Sequence, residues 1–212
     1  MKKTIYIIRH GETDYNINNI TQGQGIDADL NERGREQGLL FHRKYQHVPF
    51  DKIYTSALKR TQQTVAAFIE KGIPFESLAD LNEMNWGVCE GKSFNEPDIH
   101  DMIFNTLAAW KEGYYNAKAT NGENPLEVYE RYQKALAYIL PKENEKTILV
   151  CIHGRSLRIL LSILNNTELR YMDRFKMQNT MLSVYEFDYA TQAYTYTPII
   201  ESDTSHLLES AS

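Results

Sequence analysis

Ile5-Tyr6-Ile7-Ile8-Arg9-His10-Gly11-Glu12-Thr13-Asp14-Tyr15-Asn16 is the stretch on which the reading of the whole chain depends. Its first residues belong to an apolar, β-branched run that is continuous rather than alternating. That pattern predicts a strand over residues 3–9, buried on both faces of a parallel sheet. The run delivers an arginine and a histidine, and a glycine then turns the backbone at once. Strands of α/β proteins place chemistry in this way, at the edge where their C-terminal ends meet. A second run of the same kind, Lys146-Thr147-Ile148-Leu149-Val150-Cys151-Ile152, ends in His153-Gly154. In a parallel sheet the two histidines leave on the same edge. Each is followed by a glycine that lets backbone approach a ligand, and the helix opened by Gly154 aims its first N–H groups at that edge as an anion site.

The chain as a whole sets bounds on this reading. Its 212 residues suffice for one sizeable core, or for one domain with an inserted segment. A composition of 42% hydrophobic and 24% charged residues is that of a globular enzyme rather than a disordered or fibrous chain. A net charge of −5 gives no basic footprint for nucleic acid or an anionic membrane, although a few arginines in a cleft still suit an anionic substrate. No apolar run approaches a membrane span, and Arg9 and His10 cut short the one stretch that imitates a signal peptide, so the expected location is the cytoplasm. Cys89 and Cys151 make neither a disulfide framework nor a metal-ligand spacing, and Cys151 reads as a small core residue.

Outward from the two strands, residues 14–30 read as a polar loop containing Gln22-Gly23-Gln24-Gly25. Asn31 caps a helix with Leu39, Leu40 and Tyr45 on its apolar face, and Gly34 and Gly38 allow it to pack closely on a neighbour. Asp51–Thr55 is a short strand. Ser56 reads as the cap of a helix whose Leu58, Val65, Phe68 and Ile69 share a face, with Gly72 as its stop. Residues 73–79 form a candidate third strand. From about 95 to 141 the pattern is helical with a polar break near 116–125, the second helix turning Leu126, Tyr129, Leu136 and Ile139 to one side. Its aromatic stripe (Trp110, Tyr114, Tyr115, Tyr129, Tyr132) reads as core. Leu157, Leu160, Leu161 and Leu164 mark another helix. Residues 181–188 and 193–199 alternate as a hairpin or two late strands, and the last dozen residues read as a frayed polar end. The economical architecture is α/β: a three-layer sandwich with a mostly parallel sheet flanked by helices. A single domain spans 1–212, with residues 92–141 as an inserted helical lid.

Two further stretches carry chemistry-bearing residues. Ser56-Ala57-Leu58-Lys59-Arg60 places an arginine one turn into a helix, within reach of the strand edge. Leu81-Asn82-Glu83-Met84-Asn85-Trp86-Gly87-Val88-Cys89-Glu90-Gly91 offers two carboxylates in a glycine-bounded loop. Alone, each has a plainer reading as solvated side chains. Together with the strand ends they form a pattern: Arg9-His10-Gly11-Glu12-Thr13 with Asn16, then Gln22-Gly23 with Asp27, Leu30 and Gly34. Ser56-x-Leu58-x-Arg60-x-x-x-Thr64, Leu81-x-Glu83-x-x-x-Gly87-x-x-Glu90-Gly91 and His153-Gly154 complete it. This resembles the histidine phosphatase superfamily, from residue 5 to about 160 and in chain order. That family includes cofactor-dependent phosphoglycerate mutases, the bisphosphatase half of the fructose-2,6-bisphosphate enzymes and α-ribazole phosphatase.

The resemblance implies a metal-independent phosphomonoesterase acting on a small phosphorylated metabolite through a phosphohistidine on His10, with no cofactor; a monomer or homodimer is expected, the sequence not distinguishing the two. His10 is then the nucleophile, one ring nitrogen donating to a backbone carbonyl. Arg9, Arg60 and His153 hold the phosphoryl oxygens, joined by Asn16, Gln22, Gly23 and Gly154 in binding the phosphate. Glu83 is the proton donor and later the base, with Glu90 as its rival. Activity is expected to survive a chelator and to be best on the acid side of neutral. Two alternatives stay open: mutase-type phosphoryl transfer, and a catalytically silent phosphate-binding module. Against the mutase, Met84 stands where those enzymes carry arginine, and Phe94–Asp101 is acidic where they carry a basic pair. Thr55 and Thr61 replace the more usual serine and alanine. His42, His47, His100 and His206 match no motif position and read as surface residues.

Overall fold

The computed structural model describes residues 2–189 and 195–211. Its strands are β1 (Lys2–Arg9), β2 (Lys52–Thr55), β3 (Phe75–Ser77), β4 (Thr147–Ile152), β5 (Leu182–Asp188) and β6 (Thr195–Asp203). They form one sheet in the order β3-β2-β4-β1-β5-β6. The β3-β2-β4-β1 half is parallel, and β5 and β6 continue it antiparallel. Arg9 stands opposite Ile152 in the β1–β4 register, so His10 and His153 leave neighbouring strands at the same level. Residues 193 and 194 of the expected last strand lie outside the described residues.

Both faces of the sheet are covered, which is why β1 and β4 read as unbroken apolar runs. On one face Ile8, Leu149 and Cys151 pack with Phe41 and Tyr45 of α2 (Glu32–Tyr45) and with Val65 and Phe68 around α3 (Lys59–Thr64) and α4 (Ala66–Glu70). On the other, Ile5, Ile7, Ile148 and Val150 meet α5 (Pro97–Lys111), α6 (Pro125–Ile139) and α7 (Gly154–Leu164). The architecture is the expected three-layer α/β sandwich. No helix among the described residues is long and apolar enough to cross a membrane.

Two glycines of α2 have steric reasons. A Cβ on Gly34 would lie 2.1 Å from the carbonyl oxygen of Glu12, and one on Gly38 2.7 Å from that of Thr64. The helix is thereby drawn against the turn after β1 and against α3. Asn31 accepts from the Gly34 N–H at 2.8 Å, the expected cap.

Other local expectations are corrected. Leu39 is 59% exposed, and the buried face of α2 runs through Gln37, Leu40, Phe41 and Tyr45. Leu126 likewise points outward, because α6 buries Val128, Tyr132, Ala135 and Ile139. Of the aromatic stripe, Trp110 and Tyr132 are core and Tyr114 is exposed. Ser56 caps no helix: α3 begins at Lys59 with Leu58 at its N-cap, and the segment breaks at Val65 before resuming as α4. Residues Ser205–Ala211 form a 3-10 helix that packs on α2 instead of fraying, and its His206 is fully buried. His42 is half-buried with its ring 4.7 Å from that of Phe68, while His47 and His100 are exposed.

Candidate active site

His10 is placed by the last residue pair of β1 and is almost completely buried. Its Nδ1 lies 2.6 Å from the Gly11 carbonyl oxygen, which can only accept. The proton therefore sits on Nδ1 and the lone pair on Nε2. Burial, with the Arg9 and Arg60 guanidiniums nearby, pushes the His10 pKa well below the ordinary histidine value. The result is an imidazole that favours the neutral form, with its lone pair on Nε2. The Gly11 N–H donates to Thr64 Oγ1 at 2.9 Å, tying the turn to α3.

His153, at the end of β4, is also buried, and its ring centroid is 5.2 Å from that of His10. Its two nitrogens are both engaged. Arg60 Nε donates to Nδ1 at 3.0 Å, so the His153 proton must be on Nε2, which lies 2.8 Å from Ser56 Oγ. Ser56 Oγ also accepts from the Leu58 N–H and lies 2.9 Å from Thr61 Oγ1, whose own hydrogen goes to the Leu58 carbonyl. Burial, then Arg60, His10 and Arg9, hold the His153 pKa well below the usual value. Arg60 is itself fully buried and donates to the carbonyls of Ile26 (2.6 Å) and Gly23 (3.2 Å), with burial lowering its pKa to about 10.

Arg9 differs from Arg60 in having a buried guanidinium nitrogen with no partner at all, whereas each Arg60 nitrogen has one partner and Nη1 and Nη2 each keep a second N–H. Nη1 reaches the Met177 carbonyl at 3.1 Å, while Nε is buried without a partner. Gly154 lies against it, since a Cβ there would be 3.3 Å from Nε. A buried guanidinium N–H with no acceptor is costly unless an anion completes it.

The carboxylates of the Glu83 loop separate cleanly. Glu83 accepts from the backbone N–H groups of Met84 (2.8 Å) and Ser156 (2.9 Å) on Oε1, and of Arg155 (3.0 Å) on Oε2. The first N–H groups of α7 are thus taken by the Glu83 carboxyl oxygens, which corrects the expectation of an open anion site there. Its loop is held by Arg131 of α6, which donates to the carbonyls of Asp80, Asn82 and Glu83. Glu90 instead accepts from Gly25 N–H (2.9 Å) and Trp86 N–H (3.0 Å), pinning two loops together. Desolvation raises its pKa.

The remaining expected residues sit at the rim. Gln22 lines the cleft and accepts from Thr13 Oγ1 at 3.1 Å. Asn16 Oδ1 accepts from Thr13 N–H and from Asn179 Nδ2 at 3.2 Å. Gly23 contributes a carbonyl to Arg60 and has no room for a side chain, its Cβ position being 1.9 Å from Glu90 Oε1. Above them opens a cleft of about 400 Å³ lined by Arg9, Gln22, Glu83 and Gly154, by Trp86, Phe94, Ile103, Leu107 and Met177, and by Arg155 and Arg158. Arg155 and Arg158 escaped the sequence reading, though their spacing one turn apart after His153-Gly154 was a signal. Both are tied to Asp173, at 2.7 and 3.5 Å. Among the described residues no group of three or more His, Cys, Asp or Glu is arranged to hold a metal ion.

This geometry can accept a tetrahedral oxyanion beside a neutral imidazole, with two arginines and a carboxylate around it. The comparisons agree with it. The sequence model of the histidine phosphatase superfamily (branch 1) matches residues 5–197. A 2,3-bisphosphoglycerate-dependent phosphoglycerate mutase of Bartonella tribocorum is 30% identical over 77% of this chain and 82% of its own length. An adenosylcobalamin/alpha-ribazole phosphatase of Salmonella typhimurium is 28% identical over 74% of this chain and 77% of its own. Among solved structures, Bacillus stearothermophilus YhfR superposes with a TM-score of 0.82 at 27% identity, covering 97% of this chain and 99% of that one.

Proposed function

The chain belongs to the histidine phosphatase superfamily (branch 1), and from that membership and its strand-edge site we propose a metal-independent phosphomonoesterase that hydrolyses a small phosphorylated metabolite through phosphohistidine. The Nε2 lone pair of His10 attacks phosphorus opposite the leaving oxygen. As the N–P bond forms the P–O bond breaks, and protonated Glu83 gives its proton to the departing oxygen. Water then attacks the phosphohistidine while the Glu83 carboxylate takes its proton. The N–P bond breaks, phosphate leaves, and His10 and Glu83 return to their starting states. Arg9 and Arg60 clamp the phosphoryl oxygens throughout, which is most of what phosphoryl transfer needs. His153 orients Arg60 through Nδ1 while its Nε2–H is held by Ser56 Oγ, so its contribution to charge stabilisation runs through the Arg60 guanidinium.

The observation that carries this reading is the tautomer of His10, with Nδ1–H fixed on the Gly11 carbonyl and Nε2 left as a lone pair. Glu83, not Glu90, is assigned the proton transfers because it lines the cleft and keeps Oε2 with a single backbone donor. Residues 92–141 are assigned as the substrate-selecting lid within one domain. Phe94, Ile103 and Leu107 from this segment face the cleft, so the alcohol half of the substrate meets an apolar wall. Mutase chemistry is the less favoured reading. Position 84 carries an uncharged, buried methionine, and the two further arginines that line the cleft, Arg155 and Arg158, are both paired with Asp173.

The test is hydrolysis of an aryl phosphate in excess chelator. Phosphate release by the wild type, with an acid-labile phosphoryl label that disappears in His10→Ala, supports the proposal. Isomerisation of phosphoglycerate without phosphate release would replace it with the mutase, and the absence of both would leave a binding module.

A further inference from the structure

We propose that the C-terminal 3-10 helix belongs to the catalytic scaffold, with His206 acting as a positioning residue for His10 through Thr180. Thr180 adopts φ +55°, a left-handed conformation that β-branched residues rarely hold unless their surroundings impose it. It is fully buried, and its N–H points at the Arg9 and His10 carbonyls, at 3.1 and 3.4 Å. The same turn supplies the Met177 carbonyl to Arg9 Nη1 and the Asn179 side chain, which donates to the His10 carbonyl at 3.0 Å. One strained turn therefore grips the guanidinium of Arg9 and the backbone of both residues that lead into Gly11, whose carbonyl sets the His10 tautomer.

What braces that turn is the end of the chain. His206 Nε2 lies 3.0 Å from Thr180 Oγ1. The Thr180 hydroxyl gives its hydrogen to the Asn179 carbonyl at 2.8 Å, so toward His206 it accepts, and the His206 proton is on Nε2. The ring is wedged edge-on against Phe41 and Tyr45 of α2, with Nδ1 buried and unpartnered. The segment and the end of β6 that leads into it are moored to α2 at two more points: Tyr45 Oη donates to Asp203 Oδ2 at 2.9 Å, and Lys44 Nζ donates to Ser205 Oγ. A histidine filling a hydrophobic niche needs no hydrogen bond to a strained threonine. The geometry gives this one a purpose, which is to hold Thr180 in the conformation that aims its N–H at the nucleophile's backbone.

This inference rests on His10 being the reacting residue, and its test separates the two claims. His206→Phe keeps a ring but removes the donor, and His206→Gln places an amide N–H near the position of Nε2. The ring nitrogens of His10 are followed by NMR in protein labelled with ¹⁵N-histidine, alongside kcat and KM for an aryl phosphate. We expect His206→Phe to shift the His10 resonances and to lower kcat about tenfold with KM within twofold, because misplacing a reacting group acts on the chemical step. His206→Gln should retain at least half of the wild-type kcat and the wild-type His10 resonances. Thr180→Val, which deletes the acceptor and leaves His206 intact, should reproduce the His206→Phe effect and decides the matter if that variant does not fold. Unmoved His10 resonances in His206→Phe and Thr180→Val would overturn the inference, as would His206→Gln impaired as severely as His206→Phe. If the wild type releases no phosphate, the functional reading fails and the resonances alone decide the positioning.

Discussion

The ends of β1 and β4 carry the same two residues, a histidine and then a glycine, at the same level of adjacent parallel strands. They are not equivalent. His10 has one nitrogen fixed by its neighbour's backbone and the other left as a lone pair. His153 has both nitrogens committed, one to a guanidinium and one to a serine. The arginines differ in the reverse sense: Arg60 spreads its donors over His153 and two loop carbonyls, whereas Arg9 retains a buried N–H without a partner. On the proposed mechanism one strand end is poised to react and the other is braced. What separates them is the identity of their hydrogen-bond partners, which come from other segments of the chain.

The most severe test of that asymmetry is to delete each imidazole. On the proposed mechanism His10→Ala should lower kcat/KM by at least about 10⁴-fold, as for other enzymes that lose their nucleophile. His153→Ala should cost less, about 10²- to 10³-fold, the range for losing a group that stabilises transition-state charge. Equal losses, measured on an aryl phosphate, would break the comparison.

Glu83→Gln probes the proton that links the two ends, since Glu83 binds the first turn of α7 and faces the cleft. Its expected effect is about 10²- to 10³-fold on an alkyl phosphate. It should be far smaller on a nitrophenyl ester, whose leaving group needs no proton. Glu90→Gln should show no such dependence on the leaving group. A Glu90 variant that is selective for poor leaving groups would reverse the assignment.

Much of this site was legible in the sequence because it rests on local patterns. A continuous apolar run ending in Arg9-His10-Gly11, and a second ending in His153-Gly154, specify two buried strands and which edge they open on. The partners were not legible. Ser56 precedes a helical segment, so an N-cap explains it locally; only the fold brings His153 to its hydroxyl. The carbonyls of Gly23 and Ile26 that engage Arg60 lie in a loop with no periodicity. Glu83 caps a helix far along the chain, which no spacing announces. Leu39 and Leu126 were misplaced because an apolar residue beside the true face imitates it. His206 lies in a polar end whose burial depends on α2 rather than on its own neighbours.

A pH dependence of stability follows from the same burial. His10 and His153 are held neutral well below the usual histidine value, and burial pulls His206 down to about 4. Between the unfolded histidine pKa of about 6.5 and the folded values, the unfolded chain binds more protons than the native one. Native stability therefore falls as pH drops below about 6.5, by up to about 1.4 kcal/mol per pH unit for each such group. Urea midpoints taken from pH 7 down to pH 5 should decline accordingly, and His206→Phe should flatten the slope by one histidine's share. A slope unchanged by that substitution would mean His206 titrates normally in the fold.

The smallest expected effect is the most specific to the comparison. Ser56→Ala leaves Arg60 donating to Nδ1 of His153, so the tautomer of His153 is unchanged, but it strips Nε2–H of its acceptor in a buried site. The imidazole loses one of two tethers, and Arg60 is then held against a ring free to tilt. About a tenfold fall in kcat with little change in KM is expected, since Ser56 does not line the cleft and its hydroxyl acts through His153. Thr61→Val, which removes the group next to the Ser56 hydroxyl, should act in the same direction and more weakly. Combined with Ser56→Ala it should add little, because both changes loosen the same tether. If Ser56→Ala retains wild-type kcat, the brace on β4 is dispensable, and the difference between the two strand ends must come from burial alone.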